Sequence, residues 1–148
     1  MTRQFTDMEI ARVLLAGYDP TSRLTLKTVL EAGGYSVDSA ASAAEAVGKM
    51  DESEYELVLS DLEMESPEAG LKVLAHARLT KYKPATALVT TYSTRKIGDA
   101  DGSFLIESED VPELLGKVAG LISDRAQRKV NRELRLAAHP PEAAVLPS

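Results

Sequence analysis

Short apolar runs alternate with stretches whose apolar residues recur every three or four positions, and the alternation continues along most of the chain. Ala11 to Ala16 (Ala-Arg-Val-Leu-Leu-Ala) is apolar enough for a central strand, and Gly17-Tyr18-Asp19-Pro20 breaks it. Pro20, Thr21 and Ser22 open a helix with Leu24, Val29 and Leu30 as apolar positions, and Gly33-Gly34 stops it. Tyr35 to Ser39 is a second short strand. Ser42 caps a helix that runs to Met50, and Glu45 stands three residues after Ser42, as a capping box requires. Leu57 to Ser60 is a third strand, ending at Asp61.

After a loop with Pro67 and Gly70, the pattern predicts a helix near Leu71 to Leu79 and, past Lys83-Pro84, a fourth strand over Thr86 to Thr90. The polar segment Ser93 to Asp101 is expected to hold a short helix. Phe104-Leu105-Ile106 is the fifth strand, and the last helix starts near Val111-Pro112. Its stripe of Val111, Leu114, Leu115, Val118, Leu121 and Ile122 thins to Ala126, Val130 and Leu134, with charges between. His139-Pro140-Pro141 ends it, and Glu142 to Ser148 is expected to be a loose terminus. Strands alternating with helices imply right-handed crossovers and a parallel sheet covered on both faces. We expect one domain over residues 8–123, with a helical extension and tail over 124–148.

Composition narrows the class. A chain of 148 residues with 44% hydrophobic and 27% charged residues is an ordinary globular domain with enough apolar surface for a real core. No apolar run approaches the ~18 residues of a membrane span, and the polar start Met1-Thr2-Arg3-Gln4 does not read as a signal peptide. Without cysteine there is no disulfide framework or thiolate metal site, and a cytoplasmic location is expected. The net charge of −6 is uneven. Asp124 to Arg135 carries Arg125, Arg128, Lys129, Arg132 and Arg135 against Asp124 and Glu133, a surplus of +3 that leaves −9 elsewhere. An acidic body disfavours nucleic acid as a partner, and nothing predicts a membrane partner.

The candidate chemistry centres on Asp61, an acid at the end of a buried strand, the edge of an α/β sheet where sites are built. From about Ala11 to Ile122 the chain resembles a response-regulator receiver domain of bacterial two-component signalling. Leu59-Ser60-Asp61-Leu62-Glu63-Met64 is similar to that family's phosphoacceptor segment, and Leu30 to Val37 to its passage from first helix to second strand. Asp19-Pro20 with Arg23 three residues on matches a common sequence after its first strand. Thr90 matches the switch hydroxyl and Phe104 the aromatic switch position. The resemblance implies a flavodoxin-like, doubly wound five-stranded parallel sheet of order 2-1-3-4-5 with five helices.

Departures from the family's pattern are equally specific. The acidic pair that holds Mg²⁺ after the first strand is replaced by Gly17 and Tyr18, leaving only Asp19 acidic. Glu107 and Ser108 stand where the family has lysine followed by proline. Glu65 replaces a usual proline, and Gly70 falls one residue late. Phosphoryl transfer to a carboxylate depends on positioning and on stabilising negative charge, and Mg²⁺ takes oxygen ligands in octahedral geometry. Losing the acidic pair removes the main metal ligands apart from Asp61, with Asp19 as the remaining metal candidate. Glu107 reverses a charge that would pair with phosphoryl oxygens; unit charges ~4 Å apart at a dielectric near 20 interact by roughly 4 kcal/mol. Tyr18 is expected to fill the vacated cleft.

The expected function is therefore a stand-alone, atypical receiver that signals by protein contact, with no cofactor beyond weakly held Mg²⁺ and no enzymatic activity. The resemblance implies a histidine kinase or a downstream protein as partner, met at the fourth helix, fifth strand and last helix, and it allows a homodimer. Two alternatives stand beside it. One is a working receiver that takes phosphate on Asp61 from a histidine kinase, its metal held by Asp19 and Asp61. The other is a flavodoxin-like small-molecule or metal-binding module, which a phosphate-cradling Gly-rich loop would support and Gly17 alone does not. Glu107 itself reads either as a solvated residue at a loop edge or as part of a carboxylate cluster with Asp19 and Asp61 that binds a divalent cation or holds one shared proton.

Overall fold

The computed structural model describes residues 11–61, 64–66, 68–90, 104–107 and 111–138. Five parallel strands, β1 (Arg12–Ala16), β2 (Ser36–Ala40), β3 (Leu57–Asp61), β4 (Ala85–Thr90) and β5 (Phe104–Glu107), form one sheet in the order β2-β1-β3-β4-β5. The helices are α1 (Pro20–Ala32), α2 (Ala43–Glu52), α3 (Ala69–Leu79) and α4 (Val111–Ala138). The expected helix over Ser93 to Asp101 lies outside the described residues.

Because side chains alternate across a strand, each apolar strand feeds two cores. Val13, Leu15, Leu57, Leu59, Ala87 and Val89 pack with Leu26 and Leu30 of α1 and Leu114 and Val118 of α4. Leu14, Ala16, Val58 and Leu88 turn the other way, against Ala46 and Met50 of α2 and Val73, Leu74 and Ala77 of α3. Residues Val13 to Ala16 are fully buried, and β1 is an interior strand, flanked by β2 and β3. Each buried Leu or Val contributes roughly 1.5–3 kcal/mol from apolar burial, which is what holds the helices to the sheet.

Local signals set the ends of the elements. At α2 the Ser42 Oγ accepts from the Glu45 N–H, and Glu45 Oε1 accepts from the Ala41 N–H: the capping box closes. After α1 the chain turns at Gly34, whose φ of 102° is a region that favours glycine. On the edge strand, Asp38 takes the Tyr55 hydroxyl at 2.7 Å and the Arg12 guanidinium at 3.1 Å, which ties β2 to the segment entering β3.

The last helix is longer than a domain-closing helix needs to be. Leu114 and Val118 are buried, and Leu115, Leu121 and Ile122 pack against the same core. Beyond them α4 continues without a break to Ala138, and Val130, Leu134 and Leu136 are exposed. No helix among the described residues is long and apolar enough to cross a membrane.

Candidate functional site

The topological switch point lies between β1 and β3, because the chain leaves β1 toward β2 and later enters β3 on the other side. Ala16 pairs with Ser60, so Gly17 and Asp61 leave the sheet at the same level on either side of that crevice. Asp61 also pairs with Val89, and Thr90 with Glu107. The backbone register therefore brings Gly17, Asp61, Thr90 and Glu107 to one edge. The side chains of Thr90, Phe104 and Glu107 lie outside the described residues, as do Leu62, Glu63, Pro67 and Ser108.

Asp19 is committed elsewhere. It is the N-cap of α1, with Oδ2 accepting from the Ser22 N–H at 2.9 Å and Pro20 at the first helical position. That backbone hydrogen bond, then the Ser22 side chain, and last the nearby Arg23 charge hold the fully exposed Asp19 carboxyl below its usual range, against a smaller effect of desolvation. Arg23 itself turns back to donate to the Gly17 carbonyl at 2.7 Å and the Tyr18 carbonyl at 3.4 Å. The loop after β1 is thus clamped through its backbone. Tyr18 does not fill the crevice: its side chain is 57% exposed. A tyrosine has a polar end that is cheaper to leave in water than to bury unpaired, and the Arg23 clamp already fixes its backbone.

On the other side, Ser60 is fully buried and donates through Oγ to the Asp61 carbonyl at 3.2 Å. Helix α3 presses onto this turn at Gly70. A Cβ built there would lie 2.9 Å from the Asp61 carbonyl oxygen and 3.1 Å from Ser60 Oγ, so only glycine allows the approach. Met64 is buried against the same corner. Glu65 goes a different way: its carboxylate accepts from the Ala43 N–H at 3.1 Å, at the positive end of α2. The loop after β3 is held by that contact and by Gly70.

These contacts bear on whether Mg²⁺ fits. Gly17 offers no side chain, Tyr18 offers a phenol exposed to solvent, and the Asp19 carboxylate is spent on a helix cap. Among the described residues no group of three or more His, Cys, Asp or Glu side chains could hold a metal ion, although Mg²⁺ usually takes only one or two carboxylates and keeps its waters. The loop after β1 therefore brings no uncommitted carboxylate to stand beside Asp61, and the sharing of a cation by Asp19, Asp61 and Glu107 finds no support from Asp19.

Sequence reading missed the Arg23 clamp, the Glu65 anchor and the cap role of Asp19. The last was within reach, since Asp-Pro-Thr-Ser is an N-cap signature. The first two join residues by contacts that no spacing rule announces.

The sequence pattern of the Response regulator receiver domain family matches residues 13–100. Among solved structures, the response regulator TrrA of Thermotoga maritima in complex with Mg²⁺-BeF is 32% identical. The match covers 76% of this chain and 99% of that one, with a TM-score of 0.65. A receiver protein from Sinorhizobium medicae, 20% identical over 80% of this chain and 98% of that one, has a TM-score of 0.69. The chemotaxis protein CheY4 of Vibrio cholerae is 21% identical over 76% and 98%, with a TM-score of 0.65. No curated protein matches.

Proposed function

This chain belongs to the response regulator receiver family, and from that premise we propose that it is an atypical receiver that signals by protein contact with impaired Mg²⁺-dependent phosphorylation. The observation that carries the reading is the loop after β1. Its two acidic positions are Gly17 and Tyr18, and its one remaining acid, Asp19, caps α1. In this reading Asp61 keeps the phosphoacceptor position, Thr90 and Phe104 the switch positions, and Glu107 opposes the charge that phosphoryl oxygens would bring. Residues 8–123 form the receiver and 124–148 extend it. Its partner is a histidine kinase or a downstream protein, or a second copy of the chain, in the cytoplasm.

A Mg²⁺ titration followed by amide shifts or calorimetry tests the reading. We expect no saturable binding at millimolar concentration, with or without beryllofluoride. A dissociation constant near ~1 mM, about −4 kcal/mol, sinks it. One observation favours a second reading, that of a working receiver: the 32% identical TrrA was captured with Mg²⁺-BeF. Labelling of the unmodified protein by acetyl phosphate, lost in Asp61→Asn, would establish that reading instead.

A further inference from the structure

At the opposite edge of the sheet from Asp61, an open cleft of about 660 Å³ is bounded by the end of α3, the α3–β4 turn and the outer part of α4. It lies beside Ala85, which pairs with Leu57 at the start of β3. The four residues from Ala85 to Val89 put it about 13 Å from the level of Asp61. Arg78, Lys81, Lys83, Arg125, Arg128, Lys129 and Arg132 line it, against the single acid Glu54. Seven of the seventeen Lys and Arg residues of a chain with net charge −6 thus share one concavity.

This concentration differs from a solvated helix face in two respects. First, the cations come from separate parts of the chain and are fixed against each other. Arg125 donates through Nε to the Lys83 carbonyl at 3.0 Å and through Nη2 to the Tyr82 carbonyl at 2.7 Å, docking α4 on the turn. Lys83, in the left-handed region at φ 45°, also donates its Nζ to the Arg78 carbonyl. Second, Lys81, Arg128, Lys129 and Arg132 form no ion pair among the described residues. Asp124 and Glu133 stand four residues from Arg128 and Lys129, and neither pair closes. Like charges held together without counterions repel, and an anion is what relieves them.

We propose that this cleft binds a compact soluble anion carrying two or more phosphate groups, of the polyphosphate or nucleoside-polyphosphate class. Its volume is that of a small-molecule site. Four of the seven cations are arginines, whose planar forks match phosphate oxygens in pairs. A single carboxylate or phosphate would leave most of the charge unmatched, while a polyphosphate carries enough charge to meet several of these cations at once. The site is independent of phosphorylation at Asp61.

Calorimetric titration of the full chain with inorganic tripolyphosphate, at about 0.15 M salt to screen non-specific attraction, tests the proposal. We expect one saturable site, unchanged in Asp61→Asn and in Lys72→Glu, an exposed charge reversal on α3 outside the cleft. Arg128→Glu and Arg132→Glu, both at exposed positions on α4, are each expected to weaken binding by about tenfold or more. Absence of saturation up to millimolar ligand, or equal weakening by Lys72→Glu, overturns the site. Tighter binding of a poly-glutamate peptide than of tripolyphosphate overturns the phosphate assignment in favour of an acidic protein partner. Binding only to phosphatidylcholine vesicles carrying phosphatidylinositol bisphosphate overturns the soluble source.

Discussion

At Asp19, one carboxylate is committed to the start of α1. The folded carboxyl keeps its charge to lower pH than the unfolded one because the Ser22 N–H donates to it. The cap's stabilisation is therefore complete above the ordinary carboxylate value of 3.8 and disappears as pH falls through the lower folded value. Asparagine caps a helix about as well as aspartate but does not titrate. Asp19→Asn is therefore expected to leave stability near neutral pH almost unchanged and to flatten the acid limb of the unfolding curve below about pH 4, read by circular dichroism. A loss of stability at pH 7 would mean that the carboxylate serves something other than the cap. The proposed impairment of phosphorylation makes a prediction at the same scale. Tyr18 is exposed and stands in the position of a missing acid, and Glu107 ends β5 opposite Thr90. Tyr18→Asp with Glu107→Lys supplies a metal ligand and a cation together, and labelling by acetyl phosphate is expected only in the double variant. A folded double variant that stays unlabelled would place the block in the loop from Glu65 to Gly70.

Between elements, the contact of α3 with the end of β3 is the most constrained. Gly70 lets the helix approach until the Asp61 carbonyl lies where a Cβ would stand. Backbone cannot swing aside as a side-chain tip can. Gly70→Ala is therefore expected to destabilise the domain by about 1–3 kcal/mol, the usual cost of overpacking, read as a lower midpoint in urea at unchanged slope. A neutral result would mean that α3 slides freely over β3. The contrast with Gly33 is useful, since a Cβ there meets chiefly the end of the flexible Leu115 side chain. Elements of this kind were largely legible beforehand. Apolar runs located β1 and β3, Ser42 and Glu45 fixed the start of α2, and Gly33-Gly34 the end of α1, because those signals are local. What stayed hidden was relational. Glu65 reaches Ala43 across 22 positions and Arg125 reaches Tyr82 across 43, and a sequence shows the charges without showing which carbonyl or amide they meet. Arg125 is spent on its own chain, because the α3–β4 turn presents two carbonyls within its fork.

Over the whole molecule, the open question is what the outer part of α4 touches. Ile122 still packs on the core, while Val130 and Leu134, four and eight residues beyond Ala126, continue its line with 47% and 62% of their surface exposed. The Arg125 contact fixes the direction in which this line leaves the domain, so it is presented at a constant angle to any neighbour. A narrow apolar line on a charged helix is the seam by which two helices pair, and the rest of the chain is acidic enough to attract the cations beside it. We expect two copies to associate through this segment in solution. Truncation after Ser123 removes the seam and leaves the buried positions of α4, Leu114 and Val118, in place. The shortened protein loses the Arg125 contact as well, but it is expected to stay folded and to sediment with about half the apparent mass of the full chain, as a C₂ dimer requires. Raising the salt concentration should weaken the full-length dimer only modestly if Val130 and Leu134 carry it, and strongly if the cations do, because screening acts on the charges alone. A full-length protein that sediments as a monomer at high concentration would eliminate self-association and leave the seam to a different chain.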